Sequence, residues 1–293
     1  MKFGIVGNND GPLTLLQSLT DSFFTPEFVG LQKKVSRKLE DQYLELIPEN
    51  LFFYGFEETI LLDRIERYNI DLLINCFCNF KFKKLLHQNF AVINIHLSLL
   101  PAYRGRHPLH WALINGKKKT GYTIHYMNKD FDGGDILFQQ EIFLNSDMSV
   151  NELRFEILGL LKDNFRGFLS RYKSGNITQA ENDDKLATKA PRRYPSDSEL
   201  TEWHNSALIY RKIKALRTED HPAYLYLGQE NLKITCLDVR IAGQNTETRY
   251  SKPTVIETNN DRFKIACPDG NTLWIIPNRK EEVSDLINKE ISR

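Results

Sequence analysis

Continuous apolar runs alternate with helical apolar spacing along the first part of the chain. Residues 2–6, 71–76 and 91–95 are short runs rich in apolar and β-branched side chains, a pattern typical of strands buried on both faces of a parallel sheet. Between the first two runs, Pro12 opens one helical pattern and residues 57–67 carry another. The pattern therefore predicts an α/β fold built on a mostly parallel sheet.

The middle of the chain continues this alternation. Residues 107–115 predict a helix, 121–127 and 136–143 predict two strands that flank a turn, and 150–172 predict a long amphipathic helix. Residues 31–52 are mixed in polarity, and we assign no strand to them.

The composition changes at residues 187–198, where prolines and arginines replace periodic apolar positions. We place a boundary there, between an N-terminal domain (1–188) and a C-terminal domain (189–293). A helix over residues 201–216 is followed by short β-rich runs at turn spacing, which predict a small β-rich, barrel-like domain. The runs are residues 223–227, 232–236, 254–256, 263–266 and 272–276.

Composition and charge exclude several classes of protein. The chain has 41% hydrophobic and 26% charged residues, as in an ordinary globular protein. Its formal net charge of +1 provides no strong field for a polyanion, so no nucleic acid partner is expected. The N-terminal apolar run is too short for a signal peptide, and no run approaches the roughly 20 apolar residues needed to cross a bilayer. We expect a cytoplasmic protein without membrane contact.

Metal and redox chemistry are not expected either. Cys76 and Cys78 are separated by one residue, which is neither a redox nor a zinc spacing, and Cys236 and Cys267 lie far along the chain. The expected role of Cys76 and Cys78 is that of small buried hydrophobic side chains.

The strongest candidate chemistry follows the run at residues 91–95. Asn94 and His96 are two residues apart, so their side chains point to the same face of the strand. A basic loop broken by Pro101 and Gly105 comes next. An amide and an imidazole at the carboxyl end of a strand suit acyl transfer, although a lone histidine in an apolar strand is more often a hydrogen-bonded core residue.

Four blocks in a fixed order carry a more specific signal. Residues 94–105, 108–116, 120–125 and 131–136 together resemble the formyltransferases that use N10-formyltetrahydrofolate. The resemblance implies a Rossmann-like formyltransferase fold, and the C-terminal β-rich runs resemble the small β-barrel of the longer members. It also implies N10-formyltetrahydrofolate as the cosubstrate, with no metal.

The resemblance assigns catalytic roles to three residues. The family's Asn-His-Asp triad falls on Asn94, His96 and Asp132, each at a matching position. The imidazole would act as base, the amide would stabilise the oxyanion, and the carboxylate would orient the imidazole. Asp135 is interpreted as a turn-former beside its glycines.

Folate and the second substrate would be bound by loops near the triad. The family's folate pocket lies in the loop after the second apolar run, although its aromatic side chains could instead cap the core. The cofactor-binding prediction comprises Phe77, Cys78, Asn79, Phe80, Leu97 and Asp132. The substrate-binding prediction comprises Asn9, Tyr103, Arg104, Gly105, Arg106, Arg192 and Arg193, where the arginines would bind a pyrophosphate or remain solvated loop charges.

The amine acceptor is predicted to be a nucleotide-linked amino sugar, a dTDP- or UDP-linked 3- or 4-amino sugar used for cell-surface polysaccharide. The pattern is closest to sugar-nucleotide formyltransferases, and the second domain argues against glycinamide ribonucleotide as the acceptor. Methionyl-tRNA formyltransferase is the alternative, and a non-catalytic folate- or nucleotide-binding sensor is the second. The sequence leaves the oligomeric state open, with a homodimer as one option.

Overall fold

The structure, a computed structural model, describes residues 1–55, 57–78, 82, 90–245, 250–278 and 286–292. The chain divides into two compact units. Unit 1 comprises Met1–Pro108, Thr120–Ile142 and Phe155–Ala190. Unit 2 comprises Leu109–Lys119, Phe143–Arg154 and Pro191–Arg293.

Parallel strands form most of the sheet of unit 1. The described strands that precede residue 200 are β1 (Phe3–Gly7), β2 (Phe28–Leu31), β3 (Phe52–Tyr54), β4 (Leu72–Cys76), β5 (Ala91–His96), β6 (Arg104–Gly105), β7 (Lys119–Tyr126), β8 (Ile136–Phe143) and β9 (Lys189–Ala190). The main sheet has the order β3-β2-β1-β4-β5-β7-β8. Pairing is parallel from β3 to β5, and β7 runs antiparallel to β5. The pair β6 and β9 forms a separate small parallel ladder.

Five of the six α-helices among the described residues correspond to predicted helical patterns. The helices of the described residues are α1 (Gly11–Leu19), α2 (Arg37–Leu44), α3 (Glu58–Tyr68), α4 (Pro108–Ile114), α5 (Val150–Lys173) and α6 (Ser206–Leu216). Side chains of α3 pack with those of β1, β2 and β4 in one buried cluster that includes Val6, Phe28, Leu61 and Leu73. Burial of such side chains supplies the main driving force for folding.

Three elements near the N-terminus were absent from the sequence prediction: β2, α2 and β3. Strand β2 has four residues and β3 has three, so neither is long enough to show a clear period. Helix α2 buries only Tyr43, which leaves no apolar stripe to detect. A further correction concerns α6, which begins at Ser206 and not at residue 201. Asn205 caps it, since its Oδ1 accepts the Leu208 N–H at 3.0 Å.

Antiparallel strands dominate unit 2. They are β10 (Tyr224–Leu227), β11 (Leu232–Gln244), β12 (Thr254–Asn259), β13 (Arg262–Ala266) and β14 (Asn271–Pro277), in the order β10-β11-β14-β13-β12. Helix α6 packs against β11 and β14. The predicted fold class, a mostly parallel α/β sheet followed by a β-rich C-terminal part, is confirmed.

The compact units differ from the predicted domains in two segments. The last division lies between Ala190 and Pro191, near the predicted boundary after residue 188. However, 109–119 and 143–154 belong to unit 2, where Arg211 Nε donates to the Ile114 carbonyl at 2.9 Å. The assignment of two domains at residue 188 stays a prediction.

The described residues contain neither a metal-binding cluster nor a membrane-spanning helix. No group of three or more His, Cys, Asp or Glu side chains among them could hold a metal ion. In the same part of the chain, no helix is both long enough and apolar enough to cross a bilayer. Residues 81–87 are basic and predict a short helix, but they lie outside the described residues, apart from Phe82.

Candidate active site

Three polar side chains lie next to one another across three buried strands. The strand register aligns Asn94 of β5 with Asn75 of β4 on one side and His125 of β7 on the other. Their exposed fractions are 8%, 2% and 1%. A buried polar group must be hydrogen-bonded to avoid a desolvation penalty, so the orientation of each side chain follows from its neighbours.

The Asn94 amide is held from both sides. Its Oδ1 accepts Asn75 Nδ2 at 2.8 Å, which directs its Nδ2 towards His125 Nε2 at 3.0 Å. The other ring nitrogen, His125 Nδ1, lies 2.8 Å from the Tyr126 carbonyl. A carbonyl can only accept, so Nδ1 carries the proton and Nε2 accepts from Asn94. The Asn94 N–H₂ group therefore faces the site.

Burial sets the charge of His125. The pKa of His125 is lowered to about 4, first because burial disfavours the imidazolium; the nearby Asp132 opposes this effect and His96 adds to it. Neutral imidazole at neutral pH agrees with the acceptor role of Nε2.

His125 should make the protein less stable in mild acid. The unfolded chain takes up this proton near pH 6.5, and the folded protein only near pH 4. The contribution of neutral His125 to the free energy of unfolding is therefore complete above about pH 6.5. As the pH falls towards 4, the free energy of unfolding should decrease by about 3 kcal/mol. Urea unfolding between pH 4 and 7.5 should show this slope in the wild type and a shallower slope in His125→Gln. His204→Gln, at an exposed histidine, is the control, and equal slopes in wild type and His125→Gln would contradict the assignment.

Asp132 lies close to both Asn94 and His96 of β5. Its Oδ1 accepts Asn94 Nδ2 at 3.3 Å, and its Oδ2 is 3.5 Å from His96 Nδ1. Oδ2 also accepts the Gly105 N–H at 2.8 Å. Gly105 has a φ of +111°, a conformation available to glycine and few other residues. This loop geometry fixes the carboxylate beside the imidazole.

The second nitrogen of His96 is occupied. His96 Nε2 lies 2.9 Å from the Tyr103 carbonyl, so in the neutral ring Nε2 carries the proton. Nδ1 is then free of hydrogen and faces Asp132. Proton uptake at Nδ1 would create an imidazolium opposite a carboxylate, a charge arrangement that suits a general base.

The predicted folate-binding residues follow β4 and β5. Phe77 comes directly after β4 with a φ of +65°, and its carbonyl accepts Asn8 Nδ2 at 3.2 Å. Cys78 and Leu97 are half-buried. Asn79 and Phe80 lie outside the described residues. Folate binding by this set stays a prediction.

The predicted substrate-binding residues are divided between the two units. In unit 1, Asn9 is exposed and its carbonyl accepts the Tyr43 hydroxyl at 2.6 Å. Arg106 also has an exposed side chain, whereas Arg104 binds groups of its own unit. Arg192 and Arg193 belong to unit 2.

Arg192 and Arg193 differ in their surroundings. Arg192 is exposed and lies 5.3 Å from the centre of the Tyr194 ring. Arg193 Nη2 donates to Ser198 Oγ at 2.5 Å and to the His221 carbonyl at 2.9 Å. Burial lowers the pKa of Arg193, while Glu219 and Asp197 oppose that effect. The exposed Arg192 is therefore the one better placed to meet an anion from solvent.

Sequence reasoning missed Asn75 and His125 as members of this network. It also missed Asn182, whose Nδ2 donates to the Asp132 carbonyl at 2.7 Å. Asn75 is a polar residue within an apolar run, and His125 lies inside one of the four family-like blocks, so both left a signal in the sequence. Asn182 left none, since it lies in a polar stretch without periodic pattern.

Comparison with known proteins finds a family match in part of the chain. Residues 55–159 match the model of a family described as Formyl transferase. Over 182 residues the chain is 34% identical to the methionyl-tRNA formyltransferase of Clostridium novyi (strain NT), covering 62% of this chain and 57% of that protein. The chain thus spans less than two thirds of that relative. The predicted resemblance to formyltransferases is confirmed.

Solved structures share the fold at low sequence identity. An N-formyltransferase from Helicobacter canadensis, in complex with folinic acid and dTDP-3-aminofucose, aligns with a TM-score of 0.71 and 17% identity, covering 94% of this chain and 99% of that one. HypX from Aquifex aeolicus, in complex with tetrahydrofolic acid, aligns with a TM-score of 0.60 and 15% identity, covering 94% of this chain and 43% of that one. The predicted formyltransferase fold is confirmed by these alignments.

Proposed function

We propose that this chain is an N-formyltransferase that moves a formyl group from N10-formyltetrahydrofolate to a primary amine. Residues 55–159 match the formyl transferase family model. The convergence of Asn94, His96 and Asp132 supports this proposal more than any other observation. Asp132 lies 3.3 Å from Asn94 Nδ2 and 3.5 Å from His96 Nδ1. A base, an oxyanion donor and an orienting carboxylate are the parts that acyl transfer requires.

His96 would carry the proton during the reaction. The folate supplies a formyl group on N10, and the amine nitrogen forms a bond to the formyl carbon. His96 Nδ1 takes the proton from the attacking nitrogen, and Asp132 stabilises the imidazolium. The imidazolium then returns that proton to N10 as the C–N10 bond breaks. Charge and protons balance without a metal or a covalent enzyme intermediate.

Asn94 would stabilise the oxyanion of the tetrahedral intermediate. Its Nδ2 makes a 3.0 Å contact with His125 and a longer, 3.3 Å contact with Asp132. The longer hydrogen bond is the weaker one, so that hydrogen can be redirected to the oxyanion at lower cost. Asn75 and His125 keep the amide from rotating in the meantime.

The folate site would lie at the carboxyl ends of β4 and β5. Phe77, Cys78 and Leu97 offer half-buried apolar surface next to the triad's strand. A flat pterin ring suits a partly apolar cleft with backbone hydrogen-bonding groups. The described residues at this edge therefore fit the expected cosubstrate.

For the acceptor we propose a nucleotide-linked amino sugar, of the dTDP- or UDP-linked 3- or 4-amino class used in cell-surface polysaccharide. Support comes from the match over 99% of the Helicobacter canadensis enzyme, whose structure contains dTDP-3-aminofucose. The formal charge of +1 also favours a small anionic ligand over a nucleic acid. A cytoplasmic location remains part of this proposal.

Methionyl-tRNA is the second candidate acceptor. The observation in its favour is the 34% identity to the Clostridium novyi methionyl-tRNA formyltransferase.

A panel assay would distinguish the acceptors. The protein would be incubated with N10-formyltetrahydrofolate and, separately, with dTDP- and UDP-linked 3- and 4-amino sugars and with methionyl-tRNA, while release of tetrahydrofolate is followed by absorbance. Turnover with an amino sugar nucleotide is the expected result. Turnover with methionyl-tRNA alone would contradict the amino sugar proposal and identify methionyl-tRNA as the acceptor. Folate binding without turnover on any acceptor would favour a non-catalytic sensor.

A further inference from the structure

Asn182 joins two carbonyls of the turn that carries Asp132. Its side chain is 5% exposed. Nδ2 donates to the Asp132 carbonyl at 2.7 Å and to the Gly134 carbonyl at 3.0 Å. Both amide hydrogens are thus used on one turn, and both contacts are within unit 1.

Arg104 holds the opposite end of the same side chain. Its Nη2 donates to Asn182 Oδ1 at 2.7 Å and to the Asn182 carbonyl at 2.8 Å. Its Nη1 donates to Asp184 Oδ1 at 2.6 Å. A guanidinium can only donate, so Arg104 fixes which end of the Asn182 amide faces the turn.

The backbone of the turn also bears on the carboxylate. Asp132 has a φ of +51°, a left-handed conformation that is uncommon in non-glycine residues, although Asp adopts it more readily than most. The position of its carboxylate depends on that backbone conformation. On the far side, the Gly105 N–H binds the carboxylate, and Gly105 directly follows Arg104. One short segment therefore holds both the turn and the carboxylate.

We propose that Asn182 is a positioning residue for formyl transfer, with Arg104 as its anchor. Asn182 acts through Asp132, by keeping that carboxylate opposite His96 Nδ1 and Asn94 Nδ2. This inference rests on the proposed function of the triad, and it gives Arg104 a role inside the protein in place of pyrophosphate binding.

Two substitutions separate the contacts of Asn182. Asn182→Ala removes all side-chain contacts. Asn182→Asp keeps an acceptor for Arg104 but cannot donate to the two carbonyls of the turn. Both are expected to lower kcat by about 10- to 100-fold, because a misplacement near 1 Å costs about that much. The KM for N10-formyltetrahydrofolate should change less than kcat. Asn176→Ala, at an exposed asparagine, is the control. Wild-type activity in Asn182→Asp would overturn the proposal.

A double-mutant cycle distinguishes positioning from general destabilisation. If Asn182 acts through Asp132, then Asn182→Ala should cost little further activity in an Asp132→Asn background. Independent, multiplying losses would show a merely structural role.

Hydrogen exchange tests the inference without relying on activity. Exchange at the Gly105 amide, which binds the Asp132 carboxylate, should be faster in Asn182→Ala and Asn182→Asp than in the wild type and in Asn176→Ala. If no acceptor supports turnover in the wild type, the proposed function fails but this measurement still decides the positioning. Unchanged exchange at Gly105 would overturn it.

Discussion

His96→Ala is expected to lower kcat for formyl transfer by about 10²- to 10⁴-fold, the usual contribution of a positioned general base. The substitution removes Nδ1, which faces Asp132 at 3.5 Å, and leaves the attacking amine without a proton acceptor. Binding of the folate should persist, because the proposed folate site consists of other side chains. Steady-state kinetics and folate titration would measure both effects.

His204→Ala provides the matched control, since His204 is an exposed histidine of unit 2. It should retain wild-type kcat. A His96→Ala variant that stays folded and keeps its rate would remove His96 from the mechanism and return it to the role of a hydrogen-bonded core histidine. Loss of folate binding together with activity would point instead to a collapsed site.

Asp132→Asn is expected to lower kcat by as much as about 10⁴-fold, as the carboxylate-to-amide change does in other acid–base triads. An amide carries no charge to stabilise the His96 imidazolium. It can accept at only one atom, whereas the Asp132 carboxylate accepts from Asn94 through Oδ1 and from Gly105 through Oδ2. One of these donors would then face an N–H₂ group.

The kinetics of Asp132→Asn would be compared with those of Asp130→Asn. Asp130 is an exposed aspartate two residues before Asp132. Asp130→Asn should retain full activity. Urea unfolding of both variants would identify any loss that follows from instability. A folded Asp132→Asn variant within a few-fold of the wild-type rate would contradict an electrostatic role for the carboxylate.

Hydrophobic pattern predicted the central strands that carry this site. The nearly continuous apolar runs that became β1, β4 and β5 could be assigned to a buried parallel sheet because a strand covered on both faces needs apolar side chains on both. The two-residue spacing of Asn94 and His96 was sufficient to place them on one face. The resemblance in residues 131–136 added Asp132 as the third member.

Very short strands, and a helix with little buried surface, could not be predicted in the same way. Helix α2 buries a single side chain, and β2 and β3, with four and three residues, are too short to show a repeated pattern. The conformations of β2 and β3 depend on pairing with neighbouring strands from other parts of the chain. The roles of single loop residues depended on tertiary structure too. Arg104 suggested a phosphate ligand in sequence, yet its guanidinium binds Asn182 and Asp184.

The sequence by itself determined the fold class and led to the prediction of the three residues of the proposed triad. Only the tertiary structure decided how they are held. Strand register brought Asn75 and His125 beside Asn94, and a residue 50 positions away from Asp132 came to bind its turn. The physical reason is that apolar burial follows a local repeat along the chain, whereas the direction of a hydrogen bond depends on partners from distant segments.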